Sequence, residues 1–325
     1  MTAVAVRGRD RSTLENIQRL GVWPALALLL VVVAIAQPAF FGATNLQDVL
    51  RRASILGIVA VGQVLVLMTA GIDLSVGAMV GVTAVAIAEA GAGRVSLPVA
   101  LAVAVLVAVV VGLTNGLLVT RRRVPPVVAT FGMFVTLEGA RVAYTRGTVS
   151  GAVPGGVLTL GKGELLGVPY SVLTWVLLVV VLTVLLRRSV SGRRFVMAGA
   201  NERMAVLSGI SVTRTKVSAY VASALAAVTA GAFFAGYIGY VDRFIGRGMD
   251  LDSIAAALLG GTTFTGGKGS LVHAAGGALL IVALMNAIVV SGLNVQLQLV
   301  TKGVVLIAAV ALQTLPRREP SEAIT

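Results

Sequence analysis

Long uncharged stretches dominate this sequence and decide what the chain can fold into. Six of them contain no Asp, Glu, Lys, Arg or His: Leu20–Ala36, Ala53–Ile72, Leu97–Thr120, Val168–Leu186, Val217–Val241 and Ala274–Thr301. A helix needs about 20 apolar residues to cross about 30 Å of hydrocarbon. The core of a water-soluble protein of 325 residues has no need of so many stretches of this length. The chain is therefore predicted to be an all-α polytopic membrane protein.

Composition supports this prediction and narrows the chemistry. Charged residues make up 12% of the chain and apolar residues 57%. The 38 glycines are typical of helices that pack closely in lipid, where small residues form the interfaces. With no Cys and a single His273, the sequence offers no thiolate nucleophile and no cysteine or histidine metal cluster. A pair of carboxylates at catalytic spacing is also absent from the sequence.

We predict about ten membrane segments, flanked by a basic N-terminal tail (residues 1–19) and a C-terminal tail (316–325). A basic N-terminus before an apolar stretch also fits a secretory signal, but the many further spans favour a retained first helix. The third, fifth, eighth and tenth segments are short or polar, and such segments often break inside a helix bundle. The ten segments are 20–37, 53–70, 74–90, 98–119, 125–144, 170–186, 217–240, 252–265, 272–291 and 296–314.

The basic residues predict the orientation of the chain. The net charge is +13, but its Lys and Arg cluster at the ends of apolar stretches, which favours topology over nucleic-acid binding. With both termini in the cytoplasm, 17 of the 26 Lys and Arg residues lie on the inner side and eight on the outer side. Arg51 and Arg52 fall on the outer side, so the second segment is the least secure part of this topology.

The longest polar interruption, residues 187–216, is predicted to be a cytoplasmic loop that contains a short helix. Asn201 is a good N-cap, Glu202 suits the first turn, and Gly209 suits the exit. Met204 and Leu207 share one face. About two turns of helix are unstable alone in water, so this helix must pack on something. It packs either on the membrane face of its own protein or on a cytoplasmic partner.

A five-residue echo raises the possibility of an internal repeat. Gly71-Ile72-Asp73-Leu74-Ser75 follows the second segment, and Gly248-Met249-Asp250-Leu251-Asp252 follows the seventh. These two segments run in opposite directions in the predicted topology. Segments 2–5 and 7–10 would then form an inverted-topology repeat. A chance resemblance explains so short an echo equally well.

A glycine-rich segment at residues 260–270 does not fit a phosphate-binding loop. If Lys268 were the P-loop lysine, the next residue would be Ser or Thr, but it is Gly269. No magnesium ligand follows the lysine, so the chain is not expected to hydrolyse ATP. The segment is predicted to form a tight turn between short helices, through Gly260, Gly261, Gly266, Gly267, Lys268 and Gly269.

Ionisable side chains within the predicted membrane region are candidates for function, because burying one costs several kcal/mol. They are Asp73, Glu138, Asp252 and Lys302. Asp73 precedes Ser75 and Gly77, so it either caps the third helix or lines a pathway. Our candidates for a pathway or for a helix end are Asp73, Ser75, Asn115, Asp252 and Asn286.

Several motifs, in order and at matching spacing across residues 20–315, resemble the permeases of ribose-type ABC importers. They are Gly71–Gly77; Gly199–Glu202 with Leu207–Ile210; Leu251–Ala256, which leads into Leu259–Thr262; and Gly266–Gly269. That family often has a second Gly where this chain has Ala200. A small residue is kept there, so the resemblance is little affected.

The resemblance implies a bacterial inner-membrane permease that imports a monosaccharide or a related small polyol. It implies a ten-helix fold, a membrane dimer with a second permease subunit, a separate ATPase that binds ATP and Mg²⁺, and an extracytoplasmic solute-binding protein. The chain itself would carry no cofactor. The short helix in 187–216 would be the coupling helix, and we expect Glu202 and Arg203 to be ordered by a groove of the ATPase. The coupling residues would be Gly199, Asn201, Glu202, Arg203, Met204, Ala205, Leu207, Ser208 and Gly209.

Two other classes of protein remain as alternatives. A stand-alone secondary transporter or channel would need coupling-ion or filter residues in its spans, and no partner. An intramembrane enzyme is less consistent with the sequence, because no pair of nucleophile and base is visible. Neighbouring genes for an ATPase and a secreted binding protein would separate the first alternative from the importer.

Overall fold

The computed structural model describes residues 21–147 and 151–314, and these residues are overwhelmingly helical. The two predicted tails, 1–19 and 316–325, lie outside the described residues. A 3₁₀ turn (Pro38–Phe41) and a two-stranded antiparallel hairpin, β1 (Glu164–Leu165) and β2 (Val168–Pro169), complete the fold. The helices are α1 (Trp23–Ala36), α2 (Ala43–Met68), α3 (Val76–Gly91), α4 (Leu97–Thr120), α5 (Pro126–Thr145), α6 (Gly155–Lys162), α7 (Tyr170–Arg188), α8 (Val190–Ala200), α9 (Glu202–Leu207), α10 (Val212–Ile238), α11 (Met249–Leu259), α12 (Leu271–Val290) and α13 (Val295–Thr314).

The structure is that of an all-α polytopic membrane protein. Within the described residues, six helices are long and apolar enough to cross a membrane, namely α2, α4, α5, α7, α10 and α12, and α1 and α3 are shorter apolar helices. A helix overlaps each of the ten segments that the sequence predicts. The outward faces of α4, α5 and α7 carry apolar side chains such as Leu106, Val128 and Leu177, each more than 60% exposed. Such faces suit contact with lipid.

The second predicted segment begins too late. The sequence placed its start at residue 53, whereas α2 starts at Ala43 and includes Arg51. The Arg51 side chain is buried, with Nη2 2.6 Å from Oε1 of Glu164 and Nη1 donating to the carbonyl oxygen of Gly161 at 3.0 Å. The helix accommodates this arginine because a distant segment supplies its partners.

The region 187–216 is more ordered than the sequence predicted. Besides the short helix α9, it contains α8, and α10 already begins at Val212. Four arginines between residues 187 and 194 make this stretch resemble a loop. Its small residues Ala198 and Gly199 are nevertheless buried, and α8 packs against α7, α10 and α2.

Helix α2 runs from one end of the bundle to the other. Its 26 residues span about 39 Å at 1.5 Å per residue. Near its start, Arg51 contacts the β1–β2 hairpin through Glu164. At its end, the carbonyl oxygen of Met68 accepts a hydrogen bond from Gly267, and Gly199, which precedes α9, packs against the same carbonyl group. We call these the hairpin end and the α9 end of the bundle.

Small residues bring the central helices together. A methyl group on Gly112 or Gly116 of α4 would lie 2.5–2.7 Å from the Cα atom of Val221 or Val217 on α10. On the other side of α10, a methyl group on Gly62 of α2 would lie 2.7 Å from the Cα atom of Ser223. Backbones therefore approach within van der Waals contact, as expected for helices packed in lipid.

Two four-helix units pack in a reciprocal pattern. Helix α2 packs against α11 and α12, and α10 packs against α3 and α4. In the same way, α3 contacts α4 and α5, and α11 contacts α12 and α13. We call α2–α5 the first unit and α10–α13 the second unit. Each unit places a short helix, α3 or α11, directly after its longest helix.

Candidate functional site

The break between α2 and α3 lies inside the bundle and is held by polar side chains. The chain leaves α2 through Ala70, whose φ of +57° is left-handed, and residues 71–75 are not helical. In the amide orientation that its surroundings require, Gln63 donates to the carbonyl oxygen of Asp73 at 3.0 Å and accepts from its N–H at 3.3 Å. Gln63 thus supplies backbone hydrogen bonds that the helix break removes.

The Asp73 carboxylate organises the start of α3. Its Oδ1 accepts hydrogen bonds from the backbone N–H of Ser75 at 3.0 Å and from the Ser75 hydroxyl at 2.6 Å. The Ser75 hydroxyl in turn accepts from Nδ2 of Asn115 on α4 at 3.0 Å. All three side chains are at least 99% buried. Asp73 therefore stabilises the turn immediately before α3, although Ser75, not Asp73, is the residue at the N-cap position.

Three polar atoms in this cluster have no hydrogen-bond partner among the described residues. They are Oδ2 of Asp73, Oδ1 of Asn115 and Oγ of Ser223 on α10. Ser223 lies beside the Asp73 carboxylate. We call Gln63, Asp73, Ser75, Asn115 and Ser223 the Asp73 cluster. Two acceptors and a hydroxyl can bind a water molecule or a solute hydroxyl, because water and a solute hydroxyl each both donate and accept hydrogen bonds.

The other ionisable candidates have charged partners. Glu138 is 2.6 Å from Nη2 of Arg141 one turn along α5. Asp252, in the first turn of α11, is 2.6 Å from Nζ of Lys302 on α13. In the part of the chain that the structure describes, Asp73 has no such ion pair. Candidate metal sites with three or more His, Cys, Asp or Glu side chains are also absent from the described residues.

The first turns of α3 and α11 lie side by side. A methyl group on Gly77 would be 2.8 Å from the carbonyl oxygen of Gly246 and 3.4 Å from Asp250. Ile254 and Leu258 of α11 then pack near Ile72 and Leu74, in the break before α3. The break between α2 and α3 and the break between α10 and α11, residues 239–248, are thus close together in the bundle. Whether Asp73 and Asp252 flank one central cavity, as a repeat would imply, stays a prediction.

Asn286 lies in a different environment from the Asp73 cluster. Its side-chain amide pairs with that of Asn45 on α2 through two reciprocal hydrogen bonds of 3.0 Å. Asn45 also donates to the carbonyl oxygen of Phe40 at 2.7 Å. The pair joins α2 of the first unit to α12 of the second unit.

The short helix α9 has the local features that the sequence indicated. Oδ1 of Asn201 accepts from the N–H of Met204 at 3.0 Å, and Gly209 ends the turn with a φ of +75°. Ala205 is completely buried against the bundle. Exposed residues occupy the rest of the helix and the positions beside it: Asn201, Glu202, Arg203, Met204, Val206, Leu207 and Ser208. Helix α9 therefore presents apolar side chains outward at one end of a membrane protein.

Glycines join α9 to both units. A methyl group on Gly199 would lie 1.8 Å from the carbonyl oxygen of Met68 and 2.7 Å from the nitrogen of Gly267. The N–H of Gly267 donates to the same Met68 oxygen at 2.9 Å. Gly261, Gly266 and Gly267 have φ values of +73° to +79°, which favour glycine. The end of α2, the glycine-rich turn before α12 and the segment that leads into α9 thus meet at one point.

A cavity of about 560 Å³ lies at the α9 end of the bundle. It is lined by the turn between α4 and α5, the start of α9 and the start of α10. Glu202 and Lys216 form an ion pair in its wall. The lining residues are Ala70, Val119, Thr120, Arg123, Val124, Pro125, Pro126, Glu202, Val212, Thr213 and Lys216.

Sequence reasoning missed Gln63, Ser223 and Lys216. Gln63 is an isolated amide in an otherwise apolar stretch, and that isolation was a usable signal. Ser223 resembles many small residues of membrane helices, and Lys216 resembles an ordinary basic residue at the end of a segment. Their significance depends on the partners that the fold supplies.

Comparison with known proteins agrees with the family that the sequence motifs indicated. The sequence model of the family described as "Branched-chain amino acid transport system / permease component" matches residues 45–310. The ribose import permease protein of Bacillus subtilis (strain 168) is 37% identical over 297 residues, which cover 91% of this chain and 92% of that protein. The ribose import permease protein of Escherichia coli (strain K12) is 34% identical over 316 residues, 95% and 98% of the two chains.

A further relative has a different named solute. The autoinducer 2 import system permease protein of Enterobacter sp. (strain 638) is 33% identical over 279 residues, covering 86% of this chain and 81% of that protein. No solved structure matches the chain.

Proposed function

The chain belongs to the permease family of branched-chain amino acid and related transport systems, and from that premise we propose that it forms the membrane pathway through which an ABC importer takes up ribose or a similar small polyol. It is the permease component, and ATP is hydrolysed by a separate subunit. The relatives named for ribose and for autoinducer 2 favour a hydroxyl-rich solute over a branched-chain amino acid. The solute itself is selected in part by an extracytoplasmic binding protein.

The exposed helix α9 carries this proposal. It presents Met204, Val206 and Leu207, which are 55–75% exposed, on a helix too short to be stable alone. An apolar face at a polar membrane surface favours a protein partner. The ATPase is the partner that an importer requires, and Gly199 connects α9 to the ends of α2 and of the glycine-rich turn.

We further propose that the two four-helix units form an inverted repeat within a ten-helix permease, which pairs with a second permease subunit. The reciprocal packing of α2 and α10 supports the repeat. The Asp73 cluster and the neighbouring first turns of α3 and α11 lie at the breaks of the two units. Short or broken helices at the repeat interface are where other transporters place their pathway.

Reconstitution tests the proposed function. The chain, the ATPase and the binding protein from the same gene cluster are placed in proteoliposomes, and uptake of labelled ribose is measured with and without ATP. Uptake should require ATP and all three proteins, and excess leucine should not compete. Ribose uptake by the permease alone would instead support a stand-alone transporter. ATP-dependent leucine uptake without ribose uptake would refute the proposed solute.

Cysteine labelling tests the proposed orientation, in which the α9 end faces the cytoplasm. The chain has no native cysteine, so each introduced thiol is unique. Leu207 is 75% exposed on α9, and Leu166 is 97% exposed in the β1–β2 turn. With an impermeant reagent outside intact cells, Leu166→Cys should be labelled and Leu207→Cys should not. If only Leu207→Cys were labelled, the α9 end would face outside the cell and the proposed orientation would be wrong. Residue 205 is unsuitable, because Ala205 is buried.

A further inference from the structure

Glu202 and Lys216 connect the exposed helix α9 to the membrane bundle. Oε1 of Glu202, the first residue of α9, forms an ion pair with Nζ of Lys216 in the second turn of α10. The lysine side chain is only 9% exposed, whereas the glutamate side chain is 57% exposed. Arg123 is the other basic residue that lines the same cavity. The glutamate side chain is therefore turned at least partly toward its own protein.

The partner lysine shares a helix face with Ser223, the member of the Asp73 cluster that lies on α10. Lys216, Tyr220 and Ser223 are spaced i, i+4 and i+7 on α10, which places them along one side of the helix. The hydroxyl of Tyr220 donates to the carbonyl oxygen of Ile72 at 3.4 Å, and Ser223 lies beside Asp73. One face of α10 therefore runs from α9 to the break before α3.

Helix α9 depends on such connections for its position. Six residues form too short a helix to persist without tertiary contacts. The Asn201 cap is internal to the α9 segment, and Gly199 fixes only the point where the chain arrives from α8. The ion pair is a side-chain connection between the body of α9 and α10.

We propose that Glu202 is a positioning residue, whose ion pair with Lys216 fixes α9 on α10 so that displacement of α9 is transmitted along one face of α10 to the Asp73 cluster. This differs from the expectation that a groove of the ATPase orders Glu202. The transmission step rests on the proposed importer function, whereas the positioning of α9 does not. The two parts are therefore tested separately.

The positioning of α9 is tested in the purified permease without an ATPase. A nitroxide label on Leu207→Cys reports the mobility of α9. Glu202→Gln and Lys216→Met should each increase the mobility of the label. The exchange Glu202→Lys with Lys216→Glu should restore it. Arg214→Met is the matched control, because it removes an exposed basic side chain two residues before Lys216 on α10, and it should leave the mobility unchanged. Unchanged mobility in both single variants would overturn the proposal.

Transmission is tested in the reconstituted importer. The single variants should lower ATP-dependent uptake about three- to tenfold, a loss within the range that residue pairs in contact show. The exchange of the two residues should recover most of that loss, and pull-down of the ATPase should be unchanged in all variants. If the exchange is as defective as Glu202→Lys alone and the ATPase no longer binds, Glu202 contacts the ATPase directly and the proposal is wrong. An importer that is inactive with the native chain would instead refute the proposed function.

Discussion

The two helix breaks of this protein each place a carboxylate inside the bundle, but they stabilise it by different contacts. In the first unit, residues 71–75 before α3 are not helical, and the buried Asp73 is held by neutral side chains. In the second unit, Gly248 turns with a φ of +84° and α11 begins at once, with Asp252 paired to Lys302. One carboxylate lacks an ion partner among the described residues, and the other has one.

The two five-residue segments of the sequence echo differ in structure. In register, Asp73 corresponds to Asp250 and Ser75 to Asp252. Residues 71–75 lie outside any helix, whereas Met249 and the residues after it are helical. The echo therefore does not mark positions of equal structure. The support for an inverted repeat comes from the reciprocal packing of the helices, which no short motif reveals.

The largest difference between the two breaks should appear on truncating Asp73. Asp73→Ala removes the acceptor for both Ser75 bonds and leaves buried donors unpaired, at a cost of about 1–3 kcal/mol per group. Uptake in vesicles should fall by about tenfold or more. Asp73→Asn keeps an oxygen acceptor and should retain roughly half of the uptake, with little change in solute preference. If Asp73→Asn were as inactive as Asp73→Ala in a well-folded complex, the negative charge would be essential and capping alone would not explain the site.

A smaller effect is expected in the second unit, and it should be smallest when both partners of the ion pair are changed together. Asp252→Ala leaves Lys302 without its partner and should destabilise the protein by about 1–2 kcal/mol, less than for a fully buried pair, because the side chains are 17% and 32% exposed. Asp252→Asn combined with Lys302→Met should be closer to the native protein than Asp252→Ala. Thermal unfolding in detergent measures both variants. A double variant that is less stable than Asp252→Ala would show that the two side chains do not stabilise each other.

The smallest effect should come from the amide pair that joins the units. Asn286→Leu and Asn45→Leu should each cost about 0.6 kcal/mol, the average for hydrogen bonds between membrane helices, and change uptake less than twofold. Asn115→Leu should cost more, because Asn115 supports Ser75 and, through it, Asp73. Loss of uptake in Asn286→Leu with unchanged thermal stability would instead place Asn286 in the pathway.

Local sequence was enough to predict most of the helices, because a backbone inside lipid must satisfy its own hydrogen bonds and an apolar stretch of that length therefore forms a helix. The short helix α9 was also visible locally, since Asn201 caps it and Gly209 ends it within nine residues. The start of α2 was not visible, because the partner that allows Arg51 into the helix is Glu164, more than 100 residues away. Helix α8 was missed for a related reason: its arginines look like those of a loop, and its packing depends on distant helices.

What only the tertiary structure decided is the role of each buried polar residue. The side chains around Asp73 come from α2, α4 and α10. The buried Lys216 of α10 pairs with Glu202 of α9. A charge or a hydroxyl in a membrane protein is stable only with its partners, and the sequence names the groups without saying which of them meet. The sequence by itself determined that this chain spans the membrane and which residues were costly to bury. The fold determined how that cost is met: by neutral hydrogen bonds at Asp73, by Lys302 at Asp252, and by Arg141 at Glu138.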